Sequence, residues 1–165
     1  MKSSPSIPAP DTFTDHLTGW IGWGLLATLW GFVAYTYPSL PETIPTHFNL
    51  AGVPDGWGSR ATLWALPGVA TLICILLTVL SYFPQSFNYP VPITPDNAAR
   101  QYRYVTQMLR HLKIAIVLLF GLIVVTLIHA GRTGTDSLGL WLLPILLVIV
   151  LAPVVGYMIR AARRR

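Results

Sequence analysis

Four long apolar stretches constrain the fold of this 165-residue chain more than any other feature. They cover roughly residues 17–37, 61–83, 113–131 and 138–159. An α-helix needs about 20 residues to cross the ~30 Å hydrocarbon core of a bilayer, and its backbone polar groups are then satisfied within the helix. Only 10% of the residues are charged, against about 25% in soluble domains. The sequence therefore predicts an all-α integral membrane bundle of four transmembrane helices.

The distribution of lysine and arginine predicts the orientation of these spans. If the N-terminus lies inside the cell, the only basic residues outside are Arg60 and Arg132, out of 11 in the chain. Because cytoplasmic loops of membrane proteins carry the excess of Lys and Arg, we expect both termini to be cytoplasmic. The net charge of +5 then indicates contact with anionic lipid headgroups, and we predict no nucleic-acid partner.

The same spans divide the chain into segments. Residues 1–16 are predicted to be a disordered cytoplasmic tail, and residues 38–60 an ordered outer loop. Residues 84–112 form a cytoplasmic linker and an amphipathic inner helix, residues 113–159 a transmembrane hairpin, and residues 160–165 a basic cytoplasmic tail.

The amphipathic segment has an apolar face that recurs at helical spacing, for example at Tyr102, Val105 and Leu109. Basic residues lie off this face, and we predict that they contact lipid headgroups: Arg100, Arg103, Arg110 and Lys113. The segment either serves only to fix the topology or holds a lipid or partner site.

The outer loop is the most specific polar stretch, "PETIPTHFNLAGVPDGWGSR" at residues 41–60. Its three prolines and three glycines restrict the backbone and permit tight turns. Asp55 and Gly56 fall in a predicted turn, and Ser59 is a candidate cap for the second span. This much backbone control within twenty residues predicts one defined shape.

His47 is the loop residue best suited to be a base, a metal ligand or a pH sensor. Its possible companions are Glu42, Asp55 and His129, but their spacing matches no known zinc motif. The alternative is structural: His47 and Asn49 bond the loop backbone, and Asp55 completes the turn. The spans lack acidic and basic residues between their flanking charges, which argues against an ion-coupled transporter. We predict no catalytic residue, no metal ligand and no cofactor.

The stretch "LPETIPTHFNLAGVPDGWGSRATLW" resembles the membrane domain of unknown function at the N-terminus of SdpI-type immunity proteins. The resemblance covers roughly residues 17–83. The shared loop positions are Leu40, Pro41, Ile44, Pro45, His47, Phe48, Asn49, Gly52, Asp55, Ser59 and Arg60. We take His47, Asn49, Gly52, Asp55, Ser59 and Arg60 as the candidate outer-loop motif.

The resemblance implies a multi-pass protein of the bacterial inner membrane. Some members of that group protect their producer from a secreted peptide toxin, and some also act in signalling. Their second half carries an Arg-Thr-Pro-Trp motif, of which only Thr94 and Pro95 remain here.

We therefore expect a non-enzymatic recognition or immunity-like protein whose outer loop binds a peptide or protein partner. One alternative is a structural or signalling subunit, for which a homo-oligomer is one predicted state. Its docking surface would be the small-residue face of the first span, formed by Gly24, Ala27, Thr28 and Gly31, although that face is also suited to packing within the bundle. The other alternative is a metal-dependent enzyme at the outer face.

Overall fold

The computed structural model describes residues 11–134 and 142–163. Its helices are α1 (Phe13–Thr36), α2 (Ala65–Leu80), α3 (Ala98–Thr133) and α4 (Leu142–Arg163). Strands β1 (Thr43–Phe48) and β2 (Pro54–Ser59) lie between α1 and α2. Short 3-10 turns cover Tyr37–Ser39, Arg60–Trp64 and Pro84–Ser86.

Four helical segments in the described residues are long and apolar enough to cross a membrane. They are Phe13–Ser39, Arg60–Leu80, Ala98–Thr133 and Leu142–Arg163. The predicted four-span membrane bundle is confirmed at this level. We call the end that carries β1 and β2 the hairpin end, and the end that carries Phe13 and Arg163 the basic end.

Helix α3 is the central element of the bundle, because α1, α2 and α4 all pack against it. One core cluster joins α1, α2 and α3 to the hairpin, with Val33, Ile44, Cys74 and Val124 fully buried. A second cluster at the basic end joins α2, α3 and α4 around Leu77, Leu109 and Tyr157. Membrane helices gain from such packing mainly through van der Waals contact, since lipid is as apolar as the core.

The ends of α1 and α3 follow standard capping chemistry. At the start of α1, the Thr12 backbone N–H donates to Asp15 Oδ2 at 2.9 Å and the Thr12 hydroxyl donates to the same oxygen at 2.6 Å. An acidic side chain is favourable in the first turn because the N-terminal end of the helix dipole is positive. At the end of α3, Gly134 adopts φ 63° and its N–H donates to the Ala130 carbonyl at 3.0 Å. A left-handed glycine is the common way to end a helix.

The amphipathic segment at residues 98–112 is the first part of α3, so it runs directly into the third span. Helix α3 is continuous over 36 residues, about 54 Å at 1.5 Å per residue, which exceeds the ~30 Å hydrocarbon thickness. The preceding linker packs onto it: the Tyr89 ring lies 5.6 Å from the Tyr102 ring, and the Tyr89 hydroxyl donates to the Pro84 carbonyl at 2.7 Å. Burial raises the pKa of Tyr89 well above its usual range.

The outer segment also differs from the all-helical expectation, since it contains two strands. Of the two predicted tails, residues 1–10 and 164–165 lie outside the described residues. The rest is largely helical, since α1 already begins at Phe13 and α4 continues to Arg163.

Among the described residues, a Cβ added at Gly24 or Gly31 would meet no atom within 4 Å. The prediction that the small-residue face of α1 packs within the bundle is therefore wrong, because this face is exposed.

Candidate functional site

The hairpin end carries the candidate outer-loop motif on an antiparallel pair of strands. Thr43 pairs with Ser59 and Ile44 with Gly58, and the register shifts on either side of His47. Such bulges redirect side chains and twist the strand. The pattern was missed in the sequence because the glycines and prolines of both strands obscure the alternation that identifies a strand.

Asn49 closes the turn between the strands. Its Oδ1 accepts from the Ala51 N–H at 2.9 Å and from the Val53 N–H at 3.0 Å. Gly52 has φ 77°, a left-handed conformation that a side chain would strain, and its N–H donates to the Asn49 carbonyl at 2.8 Å. Asn49 and Gly52 therefore shape the backbone, as the structural interpretation of the loop predicts for Asn49.

The hairpin is docked firmly on the bundle. The Ile44 side chain is fully buried, and a Cβ added at Gly131 of α3 would lie 2.9 Å from its Cγ2. Arg60 Nη1 donates to the Leu40 carbonyl at 2.7 Å, and its guanidinium lies 5.0 Å from the Tyr37 ring centroid. Cation–π contact and a charge-assisted hydrogen bond together tie the base of the hairpin to the end of α1.

Ser59 lies where β2 leads into the second span. Its Oγ accepts from the Ala61 N–H at 3.2 Å, which caps the 3-10 turn before α2. The predicted capping role is thus confirmed, although the capped element is the 3-10 turn.

His47 and Asp55 form a side-chain hydrogen bond across the strands, between His47 Nδ1 and an Asp55 carboxylate oxygen. The two side chains are 72% and 44% exposed. Gly56 makes the pairing possible, because a Cβ there would lie 2.9 Å from His47 Cβ. Exposed ion pairs contribute about 0–1 kcal/mol to stability, so this pair adds little to holding the fold. His47 therefore bonds a side chain, and its predicted bond to the loop backbone is wrong.

The proposed metal companions do not gather into a site. Within residues 11–134 and 142–163, no group of three His, Cys, Asp or Glu side chains is placed to hold a metal ion. The structure joins His47 to Asp55, whereas Glu42 contributes its backbone carbonyl to the Arg60 N–H at 2.9 Å. His129 is exposed on α3, and its carbonyl accepts from the Thr133 hydroxyl at 2.8 Å.

The hairpin also exposes apolar side chains that the sequence analysis did not single out as binding residues. Leu50 at the turn is 83% exposed, and Trp57 on β2 is 60% exposed. The available signal was the sequence "DGWGS" at residues 55–59, a tryptophan within the polar outer loop.

The basic end carries the four residues predicted to contact lipid headgroups, and the structure places them in different environments. Arg100 is exposed, Arg103 Nη2 lies 3.4 Å from Asp15 Oδ2, and Arg110 Nη2 donates to Asp11 Oδ2 at 2.6 Å. Lys113 is buried among α1, α2 and α3 with only 4% of its surface exposed. The prediction of one open basic face is therefore wrong for Lys113, whereas headgroup contact at Arg100 stays a prediction.

Sequence reasoning missed the acidic partners in this network. Gln107 Nε2 also donates to Asp15 Oδ1 at 2.9 Å, and Arg110 Nη1 lies 3.6 Å from the same oxygen. The available signal was the spacing "TFTD" at residues 12–15, which places an acid in the first turn of a helix.

Comparison with known proteins assigns no activity. The model of a family described as a domain of unknown function (DUF1648) matches residues 24–71, which include the end of α1, the hairpin and the start of α2. An uncharacterized protein of Archaeoglobus fulgidus is 38% identical over 91 residues, which cover 50% of this chain and 50% of that protein. The chain spans about half the length of this curated relative. No solved structure matches.

Proposed function

We propose that the chain is a non-enzymatic recognition protein whose hairpin binds a peptide or protein partner at the membrane surface. The observation that carries the proposal is the exposed surface of a firmly docked hairpin, which presents Leu50, Trp57 and the His47–Asp55 pair. Tryptophan is enriched at the centres of binding interfaces. A hairpin fixed by Ile44 and Arg60 loses little freedom on binding, which favours affinity.

The edges of the hairpin offer a second means of recognition. Strands β1 and β2 pair only with each other in the described residues, so each has an outer edge for a further strand. Extended peptides bind such edges through backbone hydrogen bonds, while side-chain pockets set specificity. The partner class we favour is therefore a secreted peptide, in agreement with the resemblance to SdpI-type immunity proteins.

The cellular setting is part of the same proposal. The nine basic residues that accompany the termini favour a cytoplasmic basic end, and the hairpin end would then face outward. With the family resemblance, this favours a bacterial inner membrane, although the relative reported above is from an archaeon.

A survival assay tests the recognition function. Wild type, His47→Ala/Asp55→Ala and Trp57→Ala are expressed in a sensitive bacterium and challenged with membrane-active peptide toxins, after insertion has been verified. We expect protection by wild type and its loss in both variants. Tyr35→Ala is the matched control, because Tyr35 is an exposed aromatic residue at the same end of the bundle but outside the hairpin.

Two results contradict the proposal. Full protection by both inserted hairpin variants shows that the hairpin surface does not recognise the toxin. Equal loss in Tyr35→Ala shows that any exposed aromatic residue near this end matters, which indicates membrane anchoring and not a hairpin site.

The second candidate is an assembly or signalling subunit, and the exposed small-residue face of α1 favours it. Gly24, Ala27, Thr28 and Gly31 all lie on the bundle surface, where a second helix can approach closely. A stable complex in mild detergent that dissociates in Gly24→Leu/Gly31→Leu supports this function. A monomer in wild type argues against self-association through this face.

A further inference from the structure

A cavity of about 380 Å³ opens at the basic end between α1, α2 and α3. This volume is within the range of small-molecule sites, roughly 300–1,000 Å³. Its lining includes the aromatic residues Trp20, Trp23 and Tyr82 and the cations Arg110 and Lys113, together with the carboxylates of Asp11 and Asp15.

Lys113 is a buried cation at this cavity with only weak partners. Its Nζ donates to Thr78 Oγ1 at the long distance of 3.4 Å and lies 4.9 Å from the Trp23 ring centroid. Among the described residues, no carboxylate lies within 4.0 Å of Nζ. A lysine ammonium carries three donors, and a buried charge is costly unless it is paired. The arrangement is therefore incomplete without an acceptor.

The neighbouring charges balance one another and leave Lys113 in excess. Asp15 lies between Arg103 and Arg110, and Asp11 pairs with Arg110. Two carboxylates thus face two guanidiniums. Arg110 Nη1 is buried with no hydrogen-bond partner in the described residues, although it lies 3.6 Å from Asp15 Oδ1. Lys113 and Arg110, three residues apart on one helix face, both line the cavity.

The close approach of α1 holds Lys113 in this position. A Cβ added at Gly22 would lie 2.7 Å from Lys113 Cε, so the lysine stem crosses α1 where no side chain intervenes. The ammonium therefore remains at the cavity, and its stem has no room to turn away through α1.

We propose that this cavity binds the phosphate of an anionic phospholipid headgroup, with Lys113 and Arg110 as donors. Phosphate oxygens supply acceptors for Lys113 Nζ and for Arg110 Nη1, while Arg110 Nη2 stays paired with Asp11. A lipid is the favoured source because Trp20 and Tyr82, both 73% exposed, border the cavity as aromatic residues do at membrane interfaces. Exposed apolar side chains on the same helices, such as Ile21 and Leu76, provide a surface for the acyl chains. This inference is independent of the hairpin function.

The test measures lipid binding to the purified full chain in detergent micelles, by the rise in unfolding temperature on adding phosphatidylglycerol, phosphatidylcholine or inorganic phosphate. We expect phosphatidylglycerol to bind at least about tenfold more tightly than phosphatidylcholine. Lys113→Met should weaken the binding of phosphatidylglycerol about tenfold, which is the effect of losing one charge-assisted hydrogen bond. Arg160→Gln is the control, because Arg160 is an exposed cation of α4 at the basic end of the bundle and does not line this cavity. This variant should bind phosphatidylglycerol as the wild type does.

A second variant keeps the test decisive if Lys113→Met does not fold. Ser81 lines the cavity near the end of α2, so Ser81→Phe fills the space without changing charge and should also abolish the lipid preference. Three outcomes overturn the proposal: wild-type binding in both Lys113→Met and Ser81→Phe, equal binding of phosphatidylcholine, or inorganic phosphate as effective as the lipid at equal concentration.

Discussion

Ile44 of β1 packs directly on Gly131 of α3, and a Cβ at Gly131 would lie 2.9 Å from Ile44 Cγ2. Ile44 is fully buried, and its β-branched side chain has few alternative rotamers. This contact joins the hairpin to the central helix and fixes the position of the surface that carries His47, Asp55 and Trp57. The neighbouring Arg132 adds a hydrogen bond from its guanidinium to Ser39 Oγ.

Gly131→Val is therefore expected to destabilise the docked hairpin by about 1–3 kcal/mol, the usual effect of overpacking a filled contact. The free energy of unfolding in mixed micelles and protease cleavage within residues 49–53 provide the measurement. Gly121→Ala is the matched control on the same helix, because a Cβ there meets nothing within 4 Å among the described residues. Equal stability and equal cleavage in Gly131→Val and Gly121→Ala would contradict this docking.

Asn49→Ala is expected to loosen the hairpin turn without unfolding the bundle. The substitution removes the acceptor for the Ala51 and Val53 amides, and loss of such a side-chain cap weakens local structure by about 0.5–2 kcal/mol. Hydrogen exchange at these two amides should become faster. Asn49→Asp retains the acceptor oxygen and should exchange nearly as wild type; unchanged exchange in Asn49→Ala would refute this role.

Asp15→Ala is expected to lower the free energy of unfolding by about 2 kcal/mol, because it leaves Arg103 and Arg110 without a buried carboxylate. The effect is smaller than for a fully buried pair, since the Arg103 side chain is 40% exposed and water replaces part of the contact. Unfolding in mixed micelles measures the difference. Asp96→Ala, which removes an exposed acid at the same end, is the control, and an equal loss in both would indicate a general charge effect.

The spans were predictable from the sequence because apolar length is a local property. The four expected stretches correspond to the four helices that could cross a membrane, and errors at their ends arise where helices continue into polar sequence. Residues 98–112 join α3 because their helical periodicity is continuous with the next span, and nothing in the stretch breaks the helix. The linker that precedes this segment, in contrast, lies outside the long helices, as its predicted role requires.

Pairings between distant segments were beyond local reasoning. The His47–Asp55 pair depends on a register with two shifts, which the glycine-rich sequence does not reveal. Asp15 and Arg103 belong to different helices, and only the packing of α1 on α3 brings them together. Lys113 was predicted to lie on an open basic face, whereas Gly22 lets α1 approach so closely that the lysine is buried.

Cysteine labelling tests the orientation on which the proposed function depends. Leu50 in the hairpin turn and Asp96 before α3 are both exposed, and they lie at opposite ends of the bundle. If the basic end is cytoplasmic, as the charge distribution predicts, a membrane-impermeant thiol reagent should label Leu50→Cys in intact cells and Asp96→Cys only after permeabilisation. The native Cys74 is fully buried and should remain unlabelled in both cases, which makes wild type the background control. The reverse pattern would place the hairpin in the cytoplasm, where a secreted peptide does not reach it, and would leave the assembly function as the better candidate.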